Sequence, residues 1–156
     1  MSKLIVEENL ATPQSFNFYG VSCVTSEELP STDCCWPDTI PSNHLIQVEQ
    51  GMKFGIQFTA KGCLVPLLKC SKWKIQLLIE KWGQEEFPDR GENTIYVPYV
   101  PTSGHVYTAS LEIPAGTMQE GVYDIVAVVR LLDNAGKPLP VAGFAELGKF
   151  EFYQAS

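Results

Sequence analysis

Met52-Lys53-Phe54-Gly55-Ile56-Gln57-Phe58-Thr59 decides the reading of this chain. Met52, Phe54, Ile56 and Phe58 fall on one parity; Lys53, Gly55, Gln57 and Thr59 fall on the other. Successive side chains of an extended strand point to opposite faces, so this stretch is a strand with one buried and one solvated side. The same period recurs downstream. Over residues 72–82, Trp73, Ile75, Leu77 and Ile79 oppose Lys74, Gln76, Leu78, Glu80 and Trp82. A helix competes there, since Trp73, Leu77 and Glu80 could share a helical face. The strict alternation and the β-rich neighbours favour a strand.

Thr94 to Val100 is a short strand whose Pro98, with Pro101 after it, marks an edge. His105 to Ile113 alternates again, with Tyr107, Ala109, Leu111 and Ile113 inward, and Pro114-Ala115-Gly116 ends it. Gly121 to Leu132 is the most apolar strand. Asp133-Asn134-Ala135-Gly136 is a hairpin turn. In the last strand, about Ala142 to Tyr153, the apolar phase slips near Leu147-Gly148, which predicts a β-bulge. Met52 to Tyr153 therefore reads as six consecutive strands with no convincing helix.

Upstream the pattern loosens. Residues 1–13 form a polar leader. Residues 16–24 are rich in aromatic and β-branched types and read as a strand. Residues 25–43 hold Pro30, Pro37 and Pro41, each removing a backbone donor, so a long irregular connection is expected. Leu45 to Glu49 is a short strand before a turn at Gln50-Gly51. The expected organisation is an N-terminal extension with its proline-rich loop over 1–43, packing on a sandwich over 44–156.

The chain has 156 residues, 45% of them apolar, enough for one packed domain. Its formal net charge of −7 opposes phosphate-backbone binding, so no nucleic-acid partner is expected. No apolar run approaches the ~18 residues of a membrane span. Acidic residues interrupt the N-terminus too early for a signal peptide, which points to a cytoplasmic protein. Five cysteines (Cys23, Cys34, Cys35, Cys63 and Cys70) without a secretory signal fit free thiols, although Cys63 and Cys70 bracket one loop and could pair under oxidising conditions.

The segment Leu111-Glu112-Ile113-Pro114-Ala115-Gly116, followed by Gly121-Val122-Tyr123-Asp124-Ile125-Val126-Ala127-Val128, resembles the immunoglobulin-like and fibronectin-III-like β-sandwiches. In those folds a strand ends in a corner, and a tyrosine opening the next strand hydrogen-bonds back to it. Tyr123 matches that tyrosine and Trp73 the core tryptophan of the third strand. Ile125 stands in the place of the second cysteine of the antibody-type disulfide. The resemblance implies an all-β, Ig-like antiparallel sandwich of about seven to nine strands with an N-terminal extension. It carries no specific function.

One surface stands out. With Tyr123, Ile125, Ala127, Val129 and Leu131 facing the core, Val122, Val126, Val128 and Leu132 face outward, interrupted only by Asp124 and Arg130, and the third strand adds Leu78 and Trp82. Such a patch on the outer face of a sheet marks an interface with a protein partner or a second copy. The competing expectation is self-coverage by the first ~40 residues, with Phe16, Phe18 and Trp36 as lids. A small-ligand or carbohydrate site is the alternative, built from the proline-rich loop with Trp36 and from Tyr96 or Tyr99, with Tyr107 as a further stacking ring.

Catalysis is not expected. Only His44 and His105 could serve as a base, and neither sits in a motif with Cys34-Cys35-Trp36 that fits a thiol or zinc site. Glu85, Glu86, Asp89, Glu92 and Asn93 lack the ladder of a calcium loop. No metal and no cofactor are expected. The function expected from sequence is thus a non-catalytic interaction or self-association module.

Overall fold

The computed structural model describes residues 2–8, 14–26, 44–83 and 93–156. In chain order its strands are β1 (Ser2–Lys3), β2 (Ile5–Glu8), β3 (Asn17–Ser26), β4 (Leu45–Gln47) and β5 (Met52–Lys61). They continue with β6 (Lys72–Lys81), β7 (Thr94–Pro98), β8 (Val106–Ile113), β9 (Gly121–Leu132) and β10 (Pro138–Tyr153). A single 3-10 turn, Val65–Leu68, lies between β5 and β6. The protein is an all-β sandwich.

One sheet has the order β1-β3-β5-β8; the other runs β2-β10-β9-β6-β7, with β4 also beside β10. Every pairing is antiparallel except β4 with β10. The N-terminal strands are divided between the layers: β3 pairs with β5 along its whole length, and β2 lies against the first half of β10.

The inward parity of β5 is realised as expected, but its other side is less solvated than the alternation implies: Gly55 and Thr59 are buried, and Lys53 and Gln57 are half-buried. Phe54, Ile56 and Phe58 are at most 1% exposed and meet Trp73, Ile75, Leu77 and Ile79 of the opposite sheet. Trp73 is the hub. Its ring lies 5.0 Å from Phe58, 5.6 Å from Phe18, 5.8 Å from Tyr107 and 6.0 Å from Tyr99. Phe16 and Phe18, considered above as lids on an outer face, are instead buried between the sheets. The reason is parity: β3 joins the four-stranded sheet with Phe18 inward, so its aromatics fill the core.

Three local features follow the sequence closely. The Tyr123 hydroxyl donates to the Gln119 carbonyl at 2.9 Å, closing the corner that precedes β9. Tyr123→Phe should cost about 1 kcal/mol, the net worth of one such bond; a urea midpoint unchanged at constant m would show that the bond contributes nothing. The turn after β9 is held by Asp133, whose carboxylate accepts from the amides of Ala135 and Lys137. The register of β10 on β9 slips between Glu146 and Gly148. That slip resets the phase, so Ala145 and Leu147 point inward before it and Phe150 and Phe152 after it.

Gly20 explains how β3 and β5 approach so closely. A Cβ there would collide with the Gln57 carbonyl and lie 2.6 Å from the Phe58 Cβ. No other residue type fits without moving the backbone of β5.

Candidate interaction face

The outer face of the six-stranded sheet collects the residues that the sequence marked. Register places Leu78 beside Val126 and Gln76 beside Val128. On the far side of β9, Phe144 sits beside Val128 and Ile5 beside Phe144. Ile5, Phe144, Val128, Val126 and Leu78 therefore form one apolar band across four strands. Leu78 is 36% exposed and Ile5 53%, while Val126, Val128 and Phe144 are half-buried. Leu132 shares their parity but is buried, because it lies at the strand end between Lys72 and Pro138. It contributes to the edge of the band and little to its surface.

Trp82 terminates the band at one end. It is exposed, yet it is not loose. Its indole N–H donates to Asp124 Oδ2 at 2.8 Å, and Lys149 Nζ lies 4.6 Å from its ring centroid. The same ammonium is 3.8 Å from Asp124 Oδ1. This pinning lowers the entropy that the ring would lose on docking. Beside it a depression of about 330 Å³ is lined by Leu78, Ile79, Glu80, Asp124 and Val126. Its lining combines apolar side chains with the two acidic residues Glu80 and Asp124.

Ile5 and Phe144 were not foreseen as part of this face. The run Leu4-Ile5-Val6 belongs to the polar leader by sequence, and only the pairing of β2 with β10 brings Ile5 onto the sheet. Phe144 precedes the bulge, where the phase of β10 was irregular, so no periodic signal assigned it a side.

The residues proposed for a ligand loop are not brought together. Tyr96 is exposed on β7, with Lys72 Nζ 5.0 Å from its ring. Tyr99 is buried, its hydroxyl donating to the Val65 carbonyl at 2.8 Å. Burial, and then the nearby Tyr107, push its hydroxyl far above the usual tyrosine range. Tyr107 is also in the core and bonds Val100 through its hydroxyl. Neither ring is available for stacking on a sugar. Trp36, Cys34 and Cys35 lie outside the described residues, as do Glu85, Glu86, Asp89 and Glu92. Asn93 is buried and donates to the Leu77 carbonyl at 2.9 Å, so it serves the junction of β6 and β7.

The histidines are separated. His44 stacks on Phe150 with ring centroids 4.5 Å apart and its Nδ1 lies 2.7 Å from the Lys149 carbonyl. His105 packs edge-on against Tyr107. Among the described residues no group of three or more His, Cys, Asp or Glu could hold a metal ion. Cys63 and Cys70 are exposed free thiols, whereas Cys23 is buried and disulfide-bonded. That bridge overturns the expectation of free thiols throughout. An odd cysteine count excludes only complete pairing, not a single bond.

No helix among the described residues is long and apolar enough to cross a membrane. No family model matches the chain, and no curated protein matches its sequence. Among solved structures, a protein assigned as ApaA from Bordetella pertussis is 9% identical with a TM-score of 0.42, over 91% of this chain and 98% of that one. Chicken MD-1, solved with lipid IVa, is 9% identical with a TM-score of 0.31, over 96% of this chain and 98% of that one. A β-glucosidase from Kluyveromyces marxianus is 8% identical with a TM-score of 0.26, over 87% of this chain and 15% of that one. None of these likenesses bears on what the protein binds.

Proposed function

We propose that this protein is a non-catalytic interaction module on an Ig-like sandwich, docking a protein through the outer face of its six-stranded sheet. The band Ile5, Phe144, Val128, Val126 and Leu78, open to solvent and ended by a pinned Trp82, carries the reading. Contiguous apolar surface on an outer sheet face is a hallmark of interfaces, and a rigid aromatic anchor is a common hot spot. The Ig-like assignment is supported by strand order. β3-β5-β8 follows the A-B-E arrangement and β6-β9-β10 the C-F-G arrangement. Trp73 and the Tyr123 corner occupy the places that order requires.

Val126→Lys with Val128→Lys tests the face. Because both side chains point outward, the double variant should unfold within about 1 kcal/mol of wild type while losing association. Loss of a cooperative melt would place these valines in an interior and sink the proposal.

A second reading has its own observation. A groove of about 420 Å³ on the opposite, four-stranded sheet is lined by Lys3, Leu4, Tyr19, Gly20, Val21, Gln57, Phe58 and Thr59. An ammonium, a phenol ring, an amide and a hydroxyl suit a small polar ligand such as a sugar. A thermal-shift screen of sugars, nucleotides and divalent ions should then find a stabiliser; a flat response across all three classes would retire it. The bridge at Cys23 fits an oxidising compartment for either role.

A further inference from the structure

We infer that the occupant of this face is a second copy of the same chain, packed sheet on sheet about a two-fold axis that crosses the strands at Leu77 and Ala127. This deepens the docking reading above and rests on it. The argument comes from charge placement. Leu77 pairs with Ala127 at the middle of the face. Three residues to one side, Lys74 lies directly opposite Arg130; three residues to the other, Glu80 lies directly opposite Asp124.

Like charges directly across a strand pair are destabilising, so each pair calls for counter-charge from outside. Asp124 is partly answered by Trp82 and Lys149. Lys74, Arg130 and Glu80 have no ion-pair partner among the described residues. The two pairs are of opposite sign and equidistant from the centre. A two-fold axis in the interface, perpendicular to the strands, lays β6 on β6 and β9 on β9 with reversed direction. It sets Lys74 and Arg130 of one copy over Glu80 and Asp124 of the other, twice. Val126 and Val128 exchange places under the same operation, so the central valines meet each other, while Leu78 lies over Gln76 and Phe144 over Glu146 of the other copy. Such self-complementarity defines an isologous interface.

The depression beside Trp82 completes the fit. A lining that joins Leu78 and Val126 with Glu80 and Asp124 suits a long basic side chain, whose stem packs while its head pairs. The face spans roughly 20 Å by 20 Å, five strands by six residue steps. Two such faces bury roughly 800 Å² in total, below a standard specific interface and in the range of weak, transient contacts, so the pair forms reversibly with concentration. The net charge of −7 on each copy opposes approach at long range. Salt screens that repulsion beyond about 8 Å, while the contact pairs act well inside this distance.

The test is a charge swap read by light scattering over a concentration series, with thermal melts to confirm folding. Wild type should pass from monomer to dimer as concentration rises. Lys74→Glu alone and Glu80→Lys alone should each raise the dissociation constant by roughly tenfold or more, because like charges then face each other. An equimolar mixture of the two should recover dimer, since every facing pair involving the exchanged residues becomes opposite in sign. Folded single variants that dimerise as well as wild type would overturn the inference. So would a wild type monomeric to about 1 mM. If Val126→Lys/Val128→Lys is also folded in that case, the face stays external and a different protein occupies it.

Discussion

Trp73→Ala should remove about 3–5 kcal/mol of stability, a large part of what a domain of this size possesses. The ring is fully buried and touches aromatics from four other segments: Phe18 on β3, Phe58 on β5, Tyr99 just after β7 and Tyr107 on β8. Truncation leaves a cavity bounded by rigid rings in two layers, which cannot collapse together without breaking register. Trp73→Phe separates volume from polarity. The indole N–H has no acceptor among the described residues, so its loss forfeits no hydrogen bond. That variant should cost much less than alanine. Urea unfolding with m held constant measures both. An alanine variant within about 1 kcal/mol of wild type would mean that Trp73 is not the hub of the core.

Cys23→Ala should be the second large effect, at about 2–4 kcal/mol, because a disulfide restrains the unfolded chain far more than the native one. Cys23 sits on β3, paired with Gly55 of β5, and is fully buried although its parity faces away from the inter-sheet core. The informative comparison is with reductant. In reducing buffer, wild type should lose the same stability and coincide with the variant. Equal urea midpoints for wild type with and without reductant would show that the bond is not formed or adds nothing. Cys63→Ser and Cys70→Ser are controls expected to stay near neutral, since both thiols are exposed and free.

Strand existence, parity and the two main turns are legible in the sequence, and the reasons are local. Period-two alternation in 52–59 and 72–82 follows from backbone pleat alone. The Asp133 turn and the Tyr123 corner are short-range hydrogen-bonding arrangements. The slip near Gly148 showed itself because an inserted residue must shift the apolar phase. The outward parity of Leu78, Val126 and Val128 was likewise readable, since one register assignment settles a whole strand.

What the sequence could not determine is which strands become neighbours. Pairing is a long-range choice, set by the joint fit of side chains far apart in the chain. Only the folded sandwich sends Phe16 and Phe18 inward, lays Ile5 beside Phe144, and seats Leu132 and Tyr99 out of reach of solvent. Only cross-strand register sets Lys74 opposite Arg130 and Glu80 opposite Asp124, turning scattered charges into two poles of one face. The sequence by itself determined an all-β chain with an apolar outward stripe, because pleat and turn chemistry act between near neighbours. The tertiary structure decided what that stripe adjoins, because sheet order and register bring distant residues together.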